Sequence, residues 1–154
     1  MKRVMFISST GGHLEELLKL QVLFPKYDSL LVTEKNETTQ NLKLPIPIKY
    51  LKFGTRKHLF SYLFIFSWNI LKSFWLFLTF RPDAVITTGA HTCVPMIFLA
   101  HFFKRKTLFI ESIARVKSTS MAGRLIEKKV DKLFVQWEEM LEVYQDAEYH
   151  GQLL

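Results

Sequence analysis

Residues Val4–Leu18 read VMFISSTGGHLEELL, an apolar strand that runs into a Ser-Thr-Gly-Gly-His turn and at once into a helix. Such a unit gathers bare backbone N–H groups and a helix N-terminus at one point, which favours an anionic ligand. It also sets the style of the rest of the chain. Short runs rich in Val, Ile, Leu and Phe predict strands at Val4–Ile7, Ser29–Thr33, Ile48–Phe53, Ala84–Thr88, Thr107–Glu111 and Lys132–Gln136. Between them, helical patterns cover His13–Phe24, Leu59–Phe80, Thr92–Phe103, Met121–Lys129 and Trp137–Gln145, and Glu37–Leu42 has room for a short helix. Pro25 and Pro82 mark helix ends. This alternation predicts an α/β fold, a Rossmann-like, doubly wound parallel sheet covered on both faces. In such sheets ligands bind at the carboxyl ends of the strands. Those ends are Ser8–His13, Thr88–His91 and Glu111–Arg115.

The 154 residues suffice for one domain with a real core, and 49% of them are apolar, which excludes a disordered chain. The single cysteine, Cys93, rules out an internal disulfide and points to a reducing compartment. Lys2 and Arg3 precede only four apolar residues, too few for a signal-peptide core. The net charge of +7 is local. Between Thr38 and Pro82 there is no acidic residue, whereas Lys43, Lys49, Lys52, Arg56, Lys57, Lys72 and Arg81 all lie there. The remaining basic and acidic residues balance. A local excess of this kind suits a surface that meets phosphate, in a nucleic acid or a lipid headgroup.

Within that window residues 58–80 read HLFSYLFIFSWNILKSFWLFLTF, with Lys72 the one charged side chain. The length matches a bilayer's hydrocarbon core, but a crossing here would separate strands that belong to one sheet. The reading that meets both facts is an in-plane amphipathic helix, one side on the sheet and the other in the membrane interface. Trp68 and Trp75 suit headgroup depth, and Arg56, Lys57, Lys72 and Arg81 suit lipid phosphates. A helix buried against a partner protein is the alternative. Nucleic acid is disfavoured as a partner, because the aromatics follow helical spacing and do not form stacking platforms.

Three loops carry candidate chemistry. Thr10-Gly11-Gly12-His13 lacks the third glycine of a dinucleotide fingerprint and the lysine of a P-loop. Gly11 and Gly12 still allow a tight turn close to a phosphate, and His13 can serve as base, phosphate ligand or helix cap. Gly89 and His91 form the second loop. In the third, Glu111 can act as a general base, bind a sugar hydroxyl or pair with Arg115. His58, His101 and His150 have no metal-ligand spacing, so neither a metal nor another cofactor is expected. The absence of an Asp-x-Asp pair and of a Gly-x-Ser-x-Gly elbow disfavours a metal-bound sugar-nucleotide site and a serine hydrolase.

Four segments in order, SSTGGHLEELLKL, DAVITTGAHTCVP, FIESIARVKSTSMAGRLIEKKVDKLFVQWEEM and the closing YHGQLL, resemble one family. It is the anchor subunit of the two-chain N-acetylglucosaminyltransferase of dolichol-linked oligosaccharide synthesis (Alg-fourteen type), with a bacterial branch of PssD/CpsF polysaccharide proteins. The family is similar to the N-terminal half of MurG, a one-chain GT-B glycosyltransferase. The resemblance implies one lobe of a split GT-B enzyme at the cytoplasmic face of the cell membrane. A catalytic partner of Alg-thirteen/PssE/CpsG type would bind the UDP-sugar. A polyprenyl-diphosphate-linked saccharide would be the acceptor. It further implies that Gly11, Gly12 and His13 meet the acceptor diphosphate or hydroxyl, that Glu111 and Arg115 face the cleft between lobes, and that Tyr149–Leu154 dock the partner. The eukaryotic members' N-terminal membrane helix has no counterpart before the first strand, which points to the bacterial branch and moves anchoring to Leu59–Phe80. The competing reading is a complete small enzyme with its own nucleotide-sugar site in the first turn.

Overall fold

The apolar runs anticipated as strands line up side by side and in one direction. A computed structural model describes residues 1–54 and 59–154. Arg56, Lys57 and His58, named above, lie outside the described residues. The strands are β1 (Arg3–Ile7), β2 (Asp28–Lys35), β3 (Ile48–Lys52), β4 (Ala84–Thr87), β5 (Lys106–Ile110), β6 (Lys132–Val135) and β7 (Ala147–Tyr149). They form one sheet in the order β3-β2-β1-β4-β5-β6-β7, and every pairing is parallel. The order reverses between β1 and β4, so the crevice at the carboxyl ends of these two strands is the topological switch point.

Helices cover both faces. On one side, Leu14 and Leu17 of α1 (Gly12–Leu18) pack with Phe24 on Val4, Phe6, Leu31 and Ile86. On the other, α2 (Leu59–Phe80), α3 (Val94–Phe102) and α4 (Met121–Ile126) place Leu76, Phe77, Met96, Ile97 and Ile126 on Met5, Ile7, Val32, Val85 and Phe109. Each such large apolar side chain contributes about 1.5–3 kcal/mol when buried.

The helices depart from expectation at their ends. Regular α-helical bonding stops at Leu18, and tighter 3-10 turns carry the chain from Lys19 through Pro25 to Lys26. Ser29 Oγ donates to Phe24 O at 2.9 Å and ties that stretch to the start of β2. The Trp137–Gln145 pattern yields only a 3-10 stretch, Glu138–Glu142, and Glu37–Leu42 forms turns held by the Asn36 side chain. The short strand β7 was not foreseen. It has no apolar pattern of its own and exists through its register with β6, Leu133 opposite Ala147 and Val135 opposite Tyr149, and through the Lys132–Glu148 ion pair.

α2 reverses the polarity expected of a covering helix. Its buried face holds Asn69 and Ser73 beside Leu76 and Phe77, while Phe60, Phe64, Leu71 and Trp75 are exposed. The Asn69 amide serves edge strand β3: it accepts from Lys52 N at 2.9 Å and donates to Lys52 O at 2.8 Å. This closes backbone groups that an edge strand would otherwise leave open. Ser67 and Thr79 turn their hydroxyls back onto Leu63 O and Trp75 O. The helix therefore keeps its polar groups to itself and presents hydrocarbon outward.

Cys93 is buried beside β4, and burial pushes its thiol up to about 12. At pH 8 only about one thiol in ten thousand would then be ionised. We expect no reaction with a thiol reagent in the native protein and full labelling in 6 M guanidinium (roughly a complete denaturing concentration). Prompt labelling of the native chain would contradict this packing.

Candidate active site at the switch point

The β1–α1 turn and the loop after β4 are tied to each other across the crevice. His13 Nδ1 lies 3.0 Å from Thr88 O, and Thr88 Oγ1 donates to His13 O at 2.6 Å. A carbonyl oxygen only accepts, so Nδ1 carries the proton and Nε2 keeps the lone pair. Acyl-transfer enzymes also orient a histidine base through its Nδ1–H, there with a carboxylate in place of the backbone carbonyl. Gly89, at φ +105°, lets the second loop turn tightly, and a Cβ there would lie 3.3 Å from Phe109 and 3.7 Å from the His13 ring. Gly11 and Gly12 are exposed, with nothing within 4 Å of where a Cβ would stand, and no side chain caps the start of α1. The first N–H groups of that helix thus face an open space.

Three buried carboxylates underlie these loops. Glu111, at the end of β5 and 1% exposed, accepts four hydrogen bonds. The donors are Ser112 N at 3.0 Å, Ser120 N at 3.1 Å, Ser120 Oγ at 3.0 Å and Tyr144 Oη at 2.5 Å. Burial, reinforced by the Glu111 carboxylate, holds the Tyr144 phenol well above its ordinary range, so Tyr144 stays a neutral donor. Glu111 is thereby the anchor of the β5–α4 loop. Arg115, the partner considered in sequence, is exposed, and its N–H closes a turn on Ser112 O. Glu16, one helical turn after His13, is 7% exposed and accepts from Ser112 Oγ at 2.8 Å and Ile113 N at 3.1 Å. It links the first and third loops. Glu34, at the end of β2, is 1% exposed, and its Oε1 lies 3.3 Å from His91 Nε2.

The crevice thus brings Gly11, Gly12 and His13 together with Gly89, whereas His91 turns to Glu34, Glu111 is buried beneath the third loop, and Arg115 is exposed on that loop. Glu16 and Glu34 were missed. The argument that singled out Glu111, a carboxylate closing an apolar strand, applies equally to Glu34 in SLLVTEK. The spacing of three from His13 was the signal for Glu16. Among the described residues no three metal-ligating side chains meet.

The apolar face of α2 continues beside this site. Tyr62 and Phe66 pack against the His91 ring, with centroids 5.7 and 6.5 Å away. Trp68, beneath Lys52 Nζ at 5.0 Å, and Trp75 are exposed, as are Phe98 and Phe102 of α3. Lys72 is half-buried between Trp68 and Trp75, and Arg81 is exposed beyond the end of α2. Among the described residues one helix, Phe60–Phe80, is long and apolar enough to cross a membrane by length and composition.

The Glu111 anchor can be tested without an activity assay. A Cβ on Gly123 would stand 1.9 Å from Tyr144 Oη and 2.8 Å from Glu111 Oε2. We expect Gly123→Ala to cost about 2–4 kcal/mol in urea unfolding, the sum of overpacking and a broken buried hydrogen bond. Gly151→Ala, strained at φ +81° but in open space, should cost only about 1 kcal/mol.

Comparison with known proteins bears on the fold and the family. Residues 52–153 match the family described as oligosaccharide biosynthesis protein Alg14 like. The UDP-N-acetylglucosamine transferase subunit ALG14 of Candida albicans is 35% identical over 80 residues, which are 48% of this chain and 36% of that protein. The subunit of the same name from Mus musculus is 24% identical over an alignment of 180 positions, gaps included, that takes in 99% of this chain and 83% of that protein. The crystal structure of MurG from Acinetobacter baumannii shares the fold, with a TM-score of 0.70 at 16% identity over 90% of this chain and 43% of that one. The matched part is thus under half of the Candida protein and of MurG. The sheet is a Rossmann-like lobe of the kind found in GT-B glycosyltransferases, and the chain belongs to the Alg14-like family of oligosaccharide biosynthesis proteins.

Proposed function

We propose that this chain is the membrane-seated, acceptor-side subunit of a two-chain inverting glycosyltransferase. It adds a sugar from a UDP-sugar to a lipid-diphosphate-linked saccharide, in bacterial capsular or exopolysaccharide synthesis. It works at the cytoplasmic face of the membrane and recruits a catalytic, donor-binding partner of Alg-thirteen/PssE/CpsG type. The observation that carries this reading is the His13–Thr88 clasp at the switch point, which orients the His13 ring in a way that suits a base, on a lobe whose α2 turns an apolar face outward.

In this mechanism the acceptor hydroxyl attacks the anomeric carbon of the UDP-sugar. His13 Nε2 takes the hydroxyl proton, the new glycosidic C–O bond forms, and the bond to the UDP diphosphate oxygen breaks. Gly11, Gly12 and Gly89 let the acceptor diphosphate approach the backbone, and Arg115 meets it from the rim. Glu111 acts by holding the third loop in place. Alignment of hydroxyl and anomeric carbon requires both lobes, so the chain alone turns over little substrate. α2 lies in the membrane plane, its outward Trp68 and Trp75 at headgroup depth, with Lys72 within the helix and Arg81 just after it on lipid phosphate. The segment Tyr149–Leu154 starts at the last residue of edge strand β7 and is the partner-docking tail; Leu153 N donates to Gln136 Oε1 at 2.7 Å, which supports an ordered tail at that edge.

Co-expression with a donor-binding glycosyltransferase subunit of Alg-thirteen/PssE/CpsG type, assayed for sugar transfer to lipid-linked acceptor, tests the reading. Transfer should require both chains. His13→Ala should lower it by about 10²–10⁴-fold while the two chains still co-elute; unchanged transfer would remove His13 from the chemistry. A second measurement addresses the membrane. The lone chain should sediment with anionic liposomes, and Phe64→Gln with Trp75→Gln should abolish this without changing the far-UV spectrum. Failure of the unmodified chain to sediment would favour a protein partner over α2.

A further inference from the structure

His91 and Glu34 form a pair that the transfer mechanism above does not use. His91 sits on the loop after β4, and Glu34 ends β2, on the far side of β1. The histidine therefore reaches across the carboxyl end of β1 to touch the carboxylate, on the sheet face opposite α1. Positive φ at Gly89 and Ala90, +105° and +71°, turns the loop to make this reach.

Glu34 Oε1 is buried and has no aligned hydrogen bond. His91 Nε2 lies 3.3 Å from it, and a small rotation of the ring would align the two. A buried carboxylate oxygen left without a donor is costly, so the pair is under pressure to form. Tyr62 packs edge-on against the ring at 63° and Phe66 is tilted against it at 51°, which restricts its swing. The His91 side chain nevertheless stays 28% exposed. A carboxylate oxygen only accepts, so a ring bonded to it carries the proton on Nε2 and keeps a lone pair on Nδ1.

We propose that Glu34 is a positioning residue: it turns His91 so that Nδ1 accepts a hydroxyl hydrogen of the saccharide acceptor at the carboxyl edge of the sheet. This rests on the acceptor-side reading given above. The site then has two histidines of opposite tautomer, one from each face of the sheet. His13 offers Nε2 for proton transfer, and His91 offers Nδ1 for binding. Because Tyr62 and Phe66 belong to α2, the helix that seats the lobe also holds this binding group.

The ring pairing is read by nitrogen NMR of the histidine-labelled full chain at about pH 8.5, where an ordinary imidazole is neutral, with His91→Gln giving the assignment. His91 should show the Nε2–H form, and Glu34→Leu should mix or reverse the two forms. Glu34→Gln, whose amide oxygen can still accept, should keep the Nε2–H form. An Nδ1–H ring in the unmodified chain, or no change in Glu34→Leu, overturns the pairing; if Glu34→Leu does not fold, the unmodified chain and Glu34→Gln decide it. In the two-chain assay Glu34→Leu should raise the acceptor KM about tenfold, as loss of one hydrogen bond in uniform binding would. The donor KM should stay unchanged, and Glu34→Gln should restore most of the loss. An unchanged acceptor KM overturns the binding role. Absence of transfer by the unmodified pair overturns the proposed function and the binding role with it, and the ring pairing still stands or falls on the NMR.

Discussion

Every strand of this sheet runs the same way, and the rest of the molecule answers to that constraint. A parallel sheet has no tight hairpins, so each strand must return through a crossover, and both faces must be covered. All strand-to-helix turns then open at one edge. The seven strands reverse their order between β1 and β4, which leaves a crevice there. The Gly-Gly-His turn, the Gly89 loop and the Glu111 loop meet at that crevice because chain direction leaves them nowhere else to be.

Loops at such an edge need anchors, and here the anchors are buried acids. Glu111 gathers four donors from its own loop, Ser120 and Tyr144. Glu16 ties α1 to the third loop through Ser112 and Ile113. A carboxylate that accepts several hydrogen bonds is stronger than neutral partners would be and costly to strip of any one of them. The site is therefore held from below, while its upper surface, at Gly11 and Gly12, stays open. Coverage of the opposite face has its own consequence. α2 spends its polar residues inward, Asn69 on the backbone of β3, and turns aromatic and aliphatic side chains outward. A helix that shields the sheet in this way has in turn to be shielded by something apolar.

Much of this was legible in the residues. Six of the seven strands fall where the apolar runs put them, because β-branched and aromatic clusters bounded by turn residues are a local signal. β7 was not, since Ala147–Tyr149 is a strand only by virtue of its neighbour β6. The helix after β1 was drawn too long and regular. Spacing of apolar residues does not separate α from 3-10 turns, and Pro25 sits within the tighter stretch instead of ending a regular helix. Glu111 was correctly marked as unusual, but its partner was sought nearby at Arg115 and found at Tyr144, 33 residues away.

The sequence by itself determined the class of fold, the edge at which its loops gather, the glycines and histidines those loops carry, and the presence of one long apolar helix. These follow from short-range periodicity and turn chemistry. Only the tertiary structure decided which groups meet. The His13–Thr88 clasp spans 75 residues and the Glu16–Ser112 bond spans 96. Whether Asn69 faces the sheet or the surroundings, and which nitrogen of His13 is left free, were settled the same way. Such pairings depend on strand order, because a buried donor or acceptor takes whichever partner the sheet brings within about 3 Å, whatever its distance along the chain.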